Sequence, residues 1–203
     1  MEKISLKKII DKKRFDEITE GYKKTKVIVA GDLILDKFMY GSVSRISPEA
    51  PVPVVLVQQE EHMLGGAGNV AQNIKTLGGI PFIIATVGRD SDGATLQDIL
   101  KEREIEAYLI QKDSPTTTKT RVIARTQQVA RIDREDTGKL SDKEALSVKQ
   151  VLLEEGASAK GVVISDYKKG FITKQLIRTF INYKEKYGKI LTVDPKVEHF
   201  PYY

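Results

Sequence analysis

Three aspartates follow short apolar runs in this sequence of 203 residues. Each run has the composition of a buried parallel strand, and the three runs end in Asp32, Asp166 and Asp194. Ligands of an open α/β sheet bind at the carboxyl ends of its strands, so three carboxylates at such ends predict a polar crevice along one edge of the sheet. The alternative is that each aspartate only caps the turn or helix that follows its strand.

A glycine-rich segment precedes a predicted amphipathic helix. Gly65, Gly66 and Gly68 allow a ligand to approach the backbone closely, and Asn69 follows where the helix would present free amides. Gly66, Gly68 and Ala71 also satisfy the dinucleotide fingerprint. That fingerprint should follow a buried strand directly, but residues 58–63 intervene, so a Rossmann dehydrogenase is disfavoured.

Basic residues are concentrated in a predicted hairpin. Lys119 and Arg121 share one face of its first strand, and Arg131 and Asp133 share one face of the return strand. Such a hairpin could present several cations to one anion. Cross-strand salt pairing on a solvated face explains the same pattern equally well.

Several other kinds of chemistry are excluded or disfavoured by residue type. The chain has no cysteine, so disulfides, thiolate zinc sites and cysteine nucleophiles are excluded. Its two histidines, His62 and His199, have no metal-ligand spacing, and no serine-hydrolase elbow occurs. The glycine pairs at 88–93 and 156–161 lack the lysine of a phosphate-binding P-loop.

The net charge of +5 is located mainly at the N-terminus. Residues 1–26 contain nine basic and five acidic side chains, which leaves the rest of the chain nearly neutral. This distribution is typical of a solvated helix face and disfavours nucleic-acid binding. No apolar segment has the length of a signal peptide or a membrane span, so we expect a cytoplasmic protein without membrane contact.

Alternating strands and helices predict an α/β domain with a mainly parallel sheet. The first helix would be capped by Ser5, carry Leu6, Ile9, Ile10 and Ile18 on one side, and end near Gly21. Apolar runs predict strands at 26–32, 82–87, 161–166 and 189–194, with helices at 69–77, 91–102, 142–155 and 174–187. Two antiparallel hairpins interrupt the alternation, one pairing 38–45 with 52–59 and the other pairing 118–125 with 129–133 around a Gln127-Gln128 turn.

Several motifs resemble those of the ribokinase (PfkB) family of carbohydrate kinases. The Gly-Gly-Ala-Gly-Asn-Val-Ala segment at 65–71, with Gly78 and Gly88 beyond it, is similar to the family's first signature. Other stretches resemble the branch of D-glycero-β-D-manno-heptose 7-phosphate kinase domains. They are Gly-Asp-Leu-Ile-Leu-Asp at 31–36, Arg-Ile-Ser-Pro-Glu-Ala-Pro-Val-Pro at 45–53, Pro-Thr-Thr-Thr-Lys-Thr-Arg at 115–121, Gln127-Gln128 with Arg-Ile-Asp at 131–133, Asp-Tyr-Lys-Lys-Gly at 166–170 and Asp-Pro-Lys at 194–196.

The resemblance implies a three-layer ribokinase-like α/β fold with a small β lid, and transfer of a phosphoryl group from ATP, with Mg²⁺, to the anomeric hydroxyl of a sugar phosphate. Asp32, Gly65, Gly66 and Asn69 resemble residues that bind sugar hydroxyls. Lys119, Arg121, Arg131 and Asp133 fit capture of the substrate's phosphate, Asp166 and Lys169 lie at the crevice, and Asp194 and Lys196 resemble the pair that faces the ATP phosphates. The lid hairpin at 38–60 resembles one that commonly forms a homodimer.

One family motif is missing from the sequence. Members carry Gly-Ala-Gly-Asp in a nucleotide-binding part beyond the Asp-Pro-Lys strand, and no Gly-x-Gly-Asp occurs here. Residues 1–203 are therefore expected to form an incomplete kinase domain that is inactive alone, because phosphoryl transfer depends on such electrostatic groups. The chain would be the sugar-phosphate-binding part of a heptose kinase, either as a fragment or as one piece of a split enzyme that a separate C-terminal half completes. The alternatives are a non-catalytic sugar-phosphate-binding or dimerisation module, and another PfkB sugar kinase.

Overall fold

The computed structural model describes residues 10–203, and it begins with a helix on the surface. This helix, α1 (Lys12–Tyr22), starts at Asp11, whose carboxylate accepts a hydrogen bond from the backbone N–H of Arg14 at 2.7 Å. The predicted Ser5 cap lies outside the described residues. Within residues 10–203, no helix is both long enough and apolar enough to cross a membrane.

A parallel five-stranded sheet, sheet A, lies at the centre of the fold. Its spatial order is β5-β4-β1-β8-β9, and every neighbouring pair is parallel. Its strands are β1 (Lys26–Gly31), β4 (Ile80–Gly88), β5 (Glu106–Lys112), β8 (Gly161–Ser165) and β9 (Ile190–Asp194). Four of them confirm the predicted apolar runs, whereas β5, a half-exposed edge strand, was not predicted.

A second sheet, sheet B, contains the two hairpins in the order β3-β2-β6-β7. Its strands are β2 (Leu33–Ile46), β3 (Pro53–Gly66), β6 (Thr118–Ala124) and β7 (Gln127–Arg134). The hairpins join because β2 and β6 pair in parallel. The predicted Gln127-Gln128 turn is wrong, because both glutamines belong to β7. The chain reverses at residues 125–126, where Arg125 adopts a left-handed φ of 56°.

Four helices cover the two faces of sheet A. They are α2 (Ala67–Thr76), α3 (Ser91–Glu102), α4 (Asp142–Gly156) and α5 (Lys174–Tyr187), within one or two residues of the predicted bounds. Alternation along β1 divides the core, because Ile28 packs with one cluster and Val29 with the other. Phe180 of α5 belongs to the first cluster and Leu96 of α3 to the second. The predicted three-layer α/β fold is thereby confirmed.

The first passage of the chain from sheet A to sheet B takes a single residue. Asp32 is the one position between β1 of sheet A and β2 of sheet B. The chain first returns from sheet B at Gly66, which pairs with Leu33 at the end of β3 and is followed directly by α2. These first two crossings therefore lie at the carboxyl end of β1, where the sequence predicts the crevice.

Candidate functional site

The predicted aspartates lie at the ends of three adjacent strands. Asp32 follows β1, Asp166 follows β8 and Asp194 ends β9, and these strands are neighbours in sheet A. Asp32 and Asp166 are buried, whereas Asp194 is exposed. The sheet topology therefore brings the three carboxylates to one edge, in the arrangement expected of a ligand crevice.

Asp32 is hydrogen-bonded through both carboxylate oxygens. Oδ2 accepts the backbone N–H groups of Tyr167 at 2.8 Å and Lys169 at 3.0 Å, and Oδ1 accepts that of Phe171 at 3.2 Å. Burial raises the pKa of Asp32 above its ordinary value, and the Asp166 charge acts in the same direction, while the three N–H donors oppose them. The Asp32 carboxylate therefore binds the loop after β8. Its contact with a sugar hydroxyl, which the family resemblance implies, stays a prediction.

Asp166 contacts the C-terminal segment. The segment forms a 3₁₀ helix, Val197–Tyr202, after β9. His199 Nδ1 and the Tyr203 hydroxyl each lie 2.7 Å from Asp166 Oδ2, and Oδ1 accepts the backbone N–H of Lys168 at 3.0 Å. Burial, with the hydrogen bond to Asp166, raises the pKa of the Tyr203 phenol, so this hydroxyl stays protonated and donates to the carboxylate.

One face of sheet B carries a charged cluster directed to the same crevice. Asp36 on β2 is the register partner of Lys119 on β6, and its carboxylate accepts a hydrogen bond from Arg121 Nη1 at 2.6 Å. The Arg121 guanidinium also lies over the Phe38 ring, 5.1 Å from its centroid. Lys119 Nζ lies 5.2 Å from the ring centroid of Tyr167, the residue after Asp166. Sheet B and the loop after β8 therefore meet at Lys119 and Tyr167.

Salt pairing accounts for part of the basic hairpin. Arg131 Nε donates to Asp133 Oδ1 at 3.0 Å, and Lys169 pairs with Glu135. Within residues 10–203, no carboxylate forms a salt bridge with Lys119, even though Asp133 lies opposite it in the ladder. Salt pairing therefore accounts for Arg121 and Arg131, and binding of an anion at Lys119 stays a prediction.

The glycine-rich segment supports this cluster. A Cβ at Gly65 would lie 2.3 Å from Asp36 Oδ2, so only glycine lets this carboxylate reach its position. Gly66 has a φ of 56°, and a Cβ there would lie 2.2 Å from the carbonyl oxygen of Asp32. Asn69 is exposed in the first turn of α2.

Asp194 and Lys196 are separate from this cluster. Both are exposed, and Lys196 precedes the 3₁₀ helix that carries His199. The backbone carbonyl of Asp194 accepts the N–H of Asp166 at 3.1 Å, which continues the pairing of β8 with β9. Partial burial is the largest cause of the raised pKa of Tyr167, and the charges of Asp194 and Asp36 raise it further.

Sequence reasoning missed Asp36, Tyr167 and the C-terminal pair of His199 and Tyr203. Asp36 belongs to the Gly-Asp-Leu-Ile-Leu-Asp motif but has no predicted role, although alternation along the strand puts it on one face with Ile34 and Phe38. No comparable signal exists for His199, because its contact with Asp166 depends on tertiary packing.

The fold is that of known sugar kinases. A possible 1-phosphofructokinase from Thermotoga maritima superimposes with a TM-score of 0.69 at 13% identity, and the alignment covers 87% of this chain and 56% of the other. Phosphofructokinase-2 from Escherichia coli, in complex with substrates and products, gives 0.67 at 19% identity, with 88% and 56% covered. Identities this low define the class of fold, a ribokinase-like α/β kinase fold.

Sequence comparison then gives the family. The model of the pfkB family carbohydrate kinases matches residues 24–196, so this chain belongs to that family. The bifunctional protein HldE of Caulobacter vibrioides is 45% identical over 179 residues, 87% of this chain and 36% of its own length. HldE of Helicobacter pylori strain G27 is 39% identical over 180 residues, 88% of this chain and 39% of its own. The chain thus spans less than half the length of these relatives.

Proposed function

We propose that this chain forms the sugar-phosphate-binding part of a heptose 7-phosphate kinase. The observation that carries the proposal is the Lys119 ammonium, which lies over Tyr167 on the crevice side of sheet B without a salt-bridge partner in residues 10–203. A cation of this kind next to buried carboxylates suits a substrate that combines a phosphate with several hydroxyls. The similarity to HldE proteins supports a heptose phosphate over other sugars.

The residues proposed to bind the substrate form two groups, according to the part of the substrate that they contact. The phosphate binds to the cations, with Lys119 as the principal contact and Asp133 holding Arg131 in place. The sugar hydroxyls face carboxylates and amides, which include Asp36 in addition to the residues predicted from the sequence. The cationic group comprises Lys119, Arg121, Arg131 and Lys169, and the hydroxyl-binding group comprises Asp36, Gly65, Gly66 and Asn69. Asp166 lies at the crevice, and its carboxylate is already bonded to Lys168, His199 and Tyr203. Asp32 contributes through the loop that it binds.

ATP with Mg²⁺ is the phosphoryl donor that family membership implies. Within residues 10–203, no group of three His, Asp or Glu side chains could hold a metal ion. Mg²⁺ would therefore take most of its ligands from the nucleotide phosphates and water. Asp194 and Lys196 are proposed to face the ATP phosphates, and both are exposed. Because the sequence contains no Gly-x-Gly-Asp motif, this polypeptide alone is expected to bind substrate without phosphorylating it.

A homodimer through the lid is the proposed assembly. The lid consists of β2, β3 and the segment between them. It exposes large apolar side chains, a type that is usually buried in globular proteins. Ile46, Val52 and Leu56 are 60%, 51% and 65% exposed. Neighbouring apolar side chains on an edge hairpin favour association with a second copy of the same surface.

Titration calorimetry tests the proposed substrate. We expect D-glycero-β-D-manno-heptose 7-phosphate to bind the purified chain, and we expect free heptose to bind at least about tenfold more weakly because it lacks the charge-assisted contact. Lys119→Ala should remove this preference for the phosphorylated sugar. Lys149→Ala, which removes an exposed lysine on α4, is the matched control and should leave affinity unchanged. Equal affinity of wild type and Lys119→Ala for the phosphorylated sugar would contradict the proposal.

A further inference from the structure

The carboxylate of Asp32 is fully used within the protein. It is 3% exposed and accepts three backbone N–H groups from the loop of residues 167–171, at 2.8, 3.0 and 3.2 Å. Buried amides need hydrogen-bond acceptors. Residues 167–171 belong to no strand or helix, so no ladder or helical turn supplies those acceptors. The arrangement resembles a cap that holds a loop rather than a group that is free to bind a ligand.

The backbone of Asp32 fixes two further segments. Its N–H donates to the carbonyl oxygen of Ser165 at 3.1 Å, and its own carbonyl oxygen accepts the N–H of Ala67 at 2.9 Å. One residue thus connects the end of β8, the start of α2 and the following loop. It also separates β1 from β2, so the lid begins at the same position.

The loop needs this support because its backbone is strained. Lys168 adopts a φ of 58°, which is unfavourable for a residue with a side chain, and Gly170 adopts a φ of 98°. The same loop carries two side chains of the proposed site. Tyr167 lies under Lys119, and Lys169 pairs with Glu135 at the end of sheet B.

We infer that Asp32 is a positioning residue: its carboxylate binds the backbone amides of the loop 167–171 and thereby aligns Tyr167 and Lys169 with sheet B. This role rests on the proposed function, because heptose 7-phosphate is the substrate that the aligned side chains would bind. Asp32 makes no contact with sugar in this arrangement; Asp36, four residues further along β2, faces the crevice instead.

Asp32→Asn is the variant that separates the two roles. An asparagine keeps one acceptor oxygen and places an NH₂ group where the second oxygen was, so at least one of the three loop amides loses its partner. Amide hydrogen exchange should then become at least about tenfold faster at Tyr167, Lys169 and Phe171, while the amides of β1 stay unchanged. Affinity for heptose 7-phosphate should fall together with this local loosening.

Asp36→Asn is the matched control, because it changes a crevice carboxylate that binds no loop amide. It should weaken sugar-phosphate binding without any change in exchange at the three loop amides. If Asp32→Asn weakened binding while exchange at these amides stayed at the wild-type rate, Asp32 would be a direct ligand and the inference would be wrong. If wild type bound no heptose 7-phosphate, the proposed substrate would fail, and the exchange result would still decide the role of Asp32.

A measurement on the wild-type chain covers the case in which Asp32→Asn does not fold. Nuclear magnetic resonance detects couplings across hydrogen bonds, here between the amide ¹⁵N of Tyr167 or Lys169 and the carboxyl ¹³C of Asp32. We expect both couplings in the ligand-free protein. The inference would be overturned if both couplings were absent from spectra that resolve the couplings across backbone hydrogen bonds of similar length in β1 and β8.

Discussion

At the scale of single residues, the crevice is defined by close approaches between a carboxylate and glycine. Asp36 reaches Arg121 only because Gly65 has no side chain, since a Cβ there would lie 2.3 Å from Asp36 Oδ2. The glycine-rich segment, which the sequence assigns to a ligand, is therefore packed against the carboxylates that would bind that ligand. Substitution of this glycine affects the site and the stability together.

Gly65→Ala should lower the free energy of unfolding by about 1–3 kcal/mol, because a methyl group inserted into this contact must displace Asp36 or bend β3. Urea denaturation followed by circular dichroism measures the change. Gly21→Ala is the control: a Cβ there meets no atom within 4 Å, and alanine in helix α1 should raise stability by up to about 1 kcal/mol. Similar effects at the two positions would contradict this account.

At the scale of elements, Asp90 joins α3 to the segment that leads into β6. Its Oδ1 accepts the backbone N–H of Gly93 at 2.8 Å, as a helix cap, and the hydroxyl of Thr116 at 2.6 Å. Its Oδ2 accepts the N–H of Thr116 at 3.0 Å. Partial burial alone would raise the pKa of Asp90, but the bonds from Thr116 and Gly93 outweigh it, so the pKa is lowered.

Asp90→Asn should cost about 1–2 kcal/mol of stability at pH 7, because the second oxygen that receives Thr116 is lost. A lowered pKa in the folded state means that the ionised form adds stability above the ordinary carboxyl pKa. This contribution is lost as the pH falls through the lower, folded-state value, so the gap between wild type and variant should narrow below about pH 4. Denaturation series at several pH values give the gap.

Asp11→Asn is the control for this series. Asp11 caps α1 through one N–H, and asparagine is an equally good cap, so we expect a change of a few tenths of a kcal/mol. A gap for Asp90→Asn that stayed constant down to pH 3 would show that ionisation of Asp90 does not contribute.

At the scale of the whole molecule, the proposed lid dimer can be tested at one exposed apolar side chain. Leu56 on the lid and Leu146 on helix α4 are each 65% exposed, so they offer the same apolar area in different surroundings. If the lid forms the dimer, Leu56→Asp should convert the protein to a monomer in sedimentation analysis, because it introduces charge into an apolar contact. Leu146→Asp should leave the mass unchanged. A monomeric wild type would contradict the lid dimer.

The sequence predicts the central sheet well because buried parallel strands are apolar on both faces, as in β1 and β8. It predicts sheet B less well. Residues 58–62 are polar and largely exposed, so no burial pattern marks them as part of β3. The β6–β7 turn was misplaced because Arg125, rather than a glycine, takes the left-handed conformation. The ladder that joins β2 to β6 has no local signal at all.

The same limits apply to the candidate site. Strand ends identified Asp32 and Asp166, because the carboxyl edge of a parallel sheet follows from topology. The direction in which each carboxylate points depends on the loop after β8, whose path depends on distant contacts. The contact of His199 with Asp166 and the approach of Gly65 to Asp36 are therefore visible only in the folded chain.

The connection between the sheets through Asp32 has a mechanical consequence. Strands β2 and β3 each contain 14 residues and leave sheet A side by side, at Asp32 and Gly66. At about 3.3 Å per residue, such a ribbon forms a lever some 46 Å long. A rotation of about 10° at its base would move its tip by roughly 8 Å over that length. Because β2 also pairs with β6, small changes in backbone angle at Asp32, at Gly66 and in the segment 113–117 would together be amplified into large displacements at the tip of the ribbon.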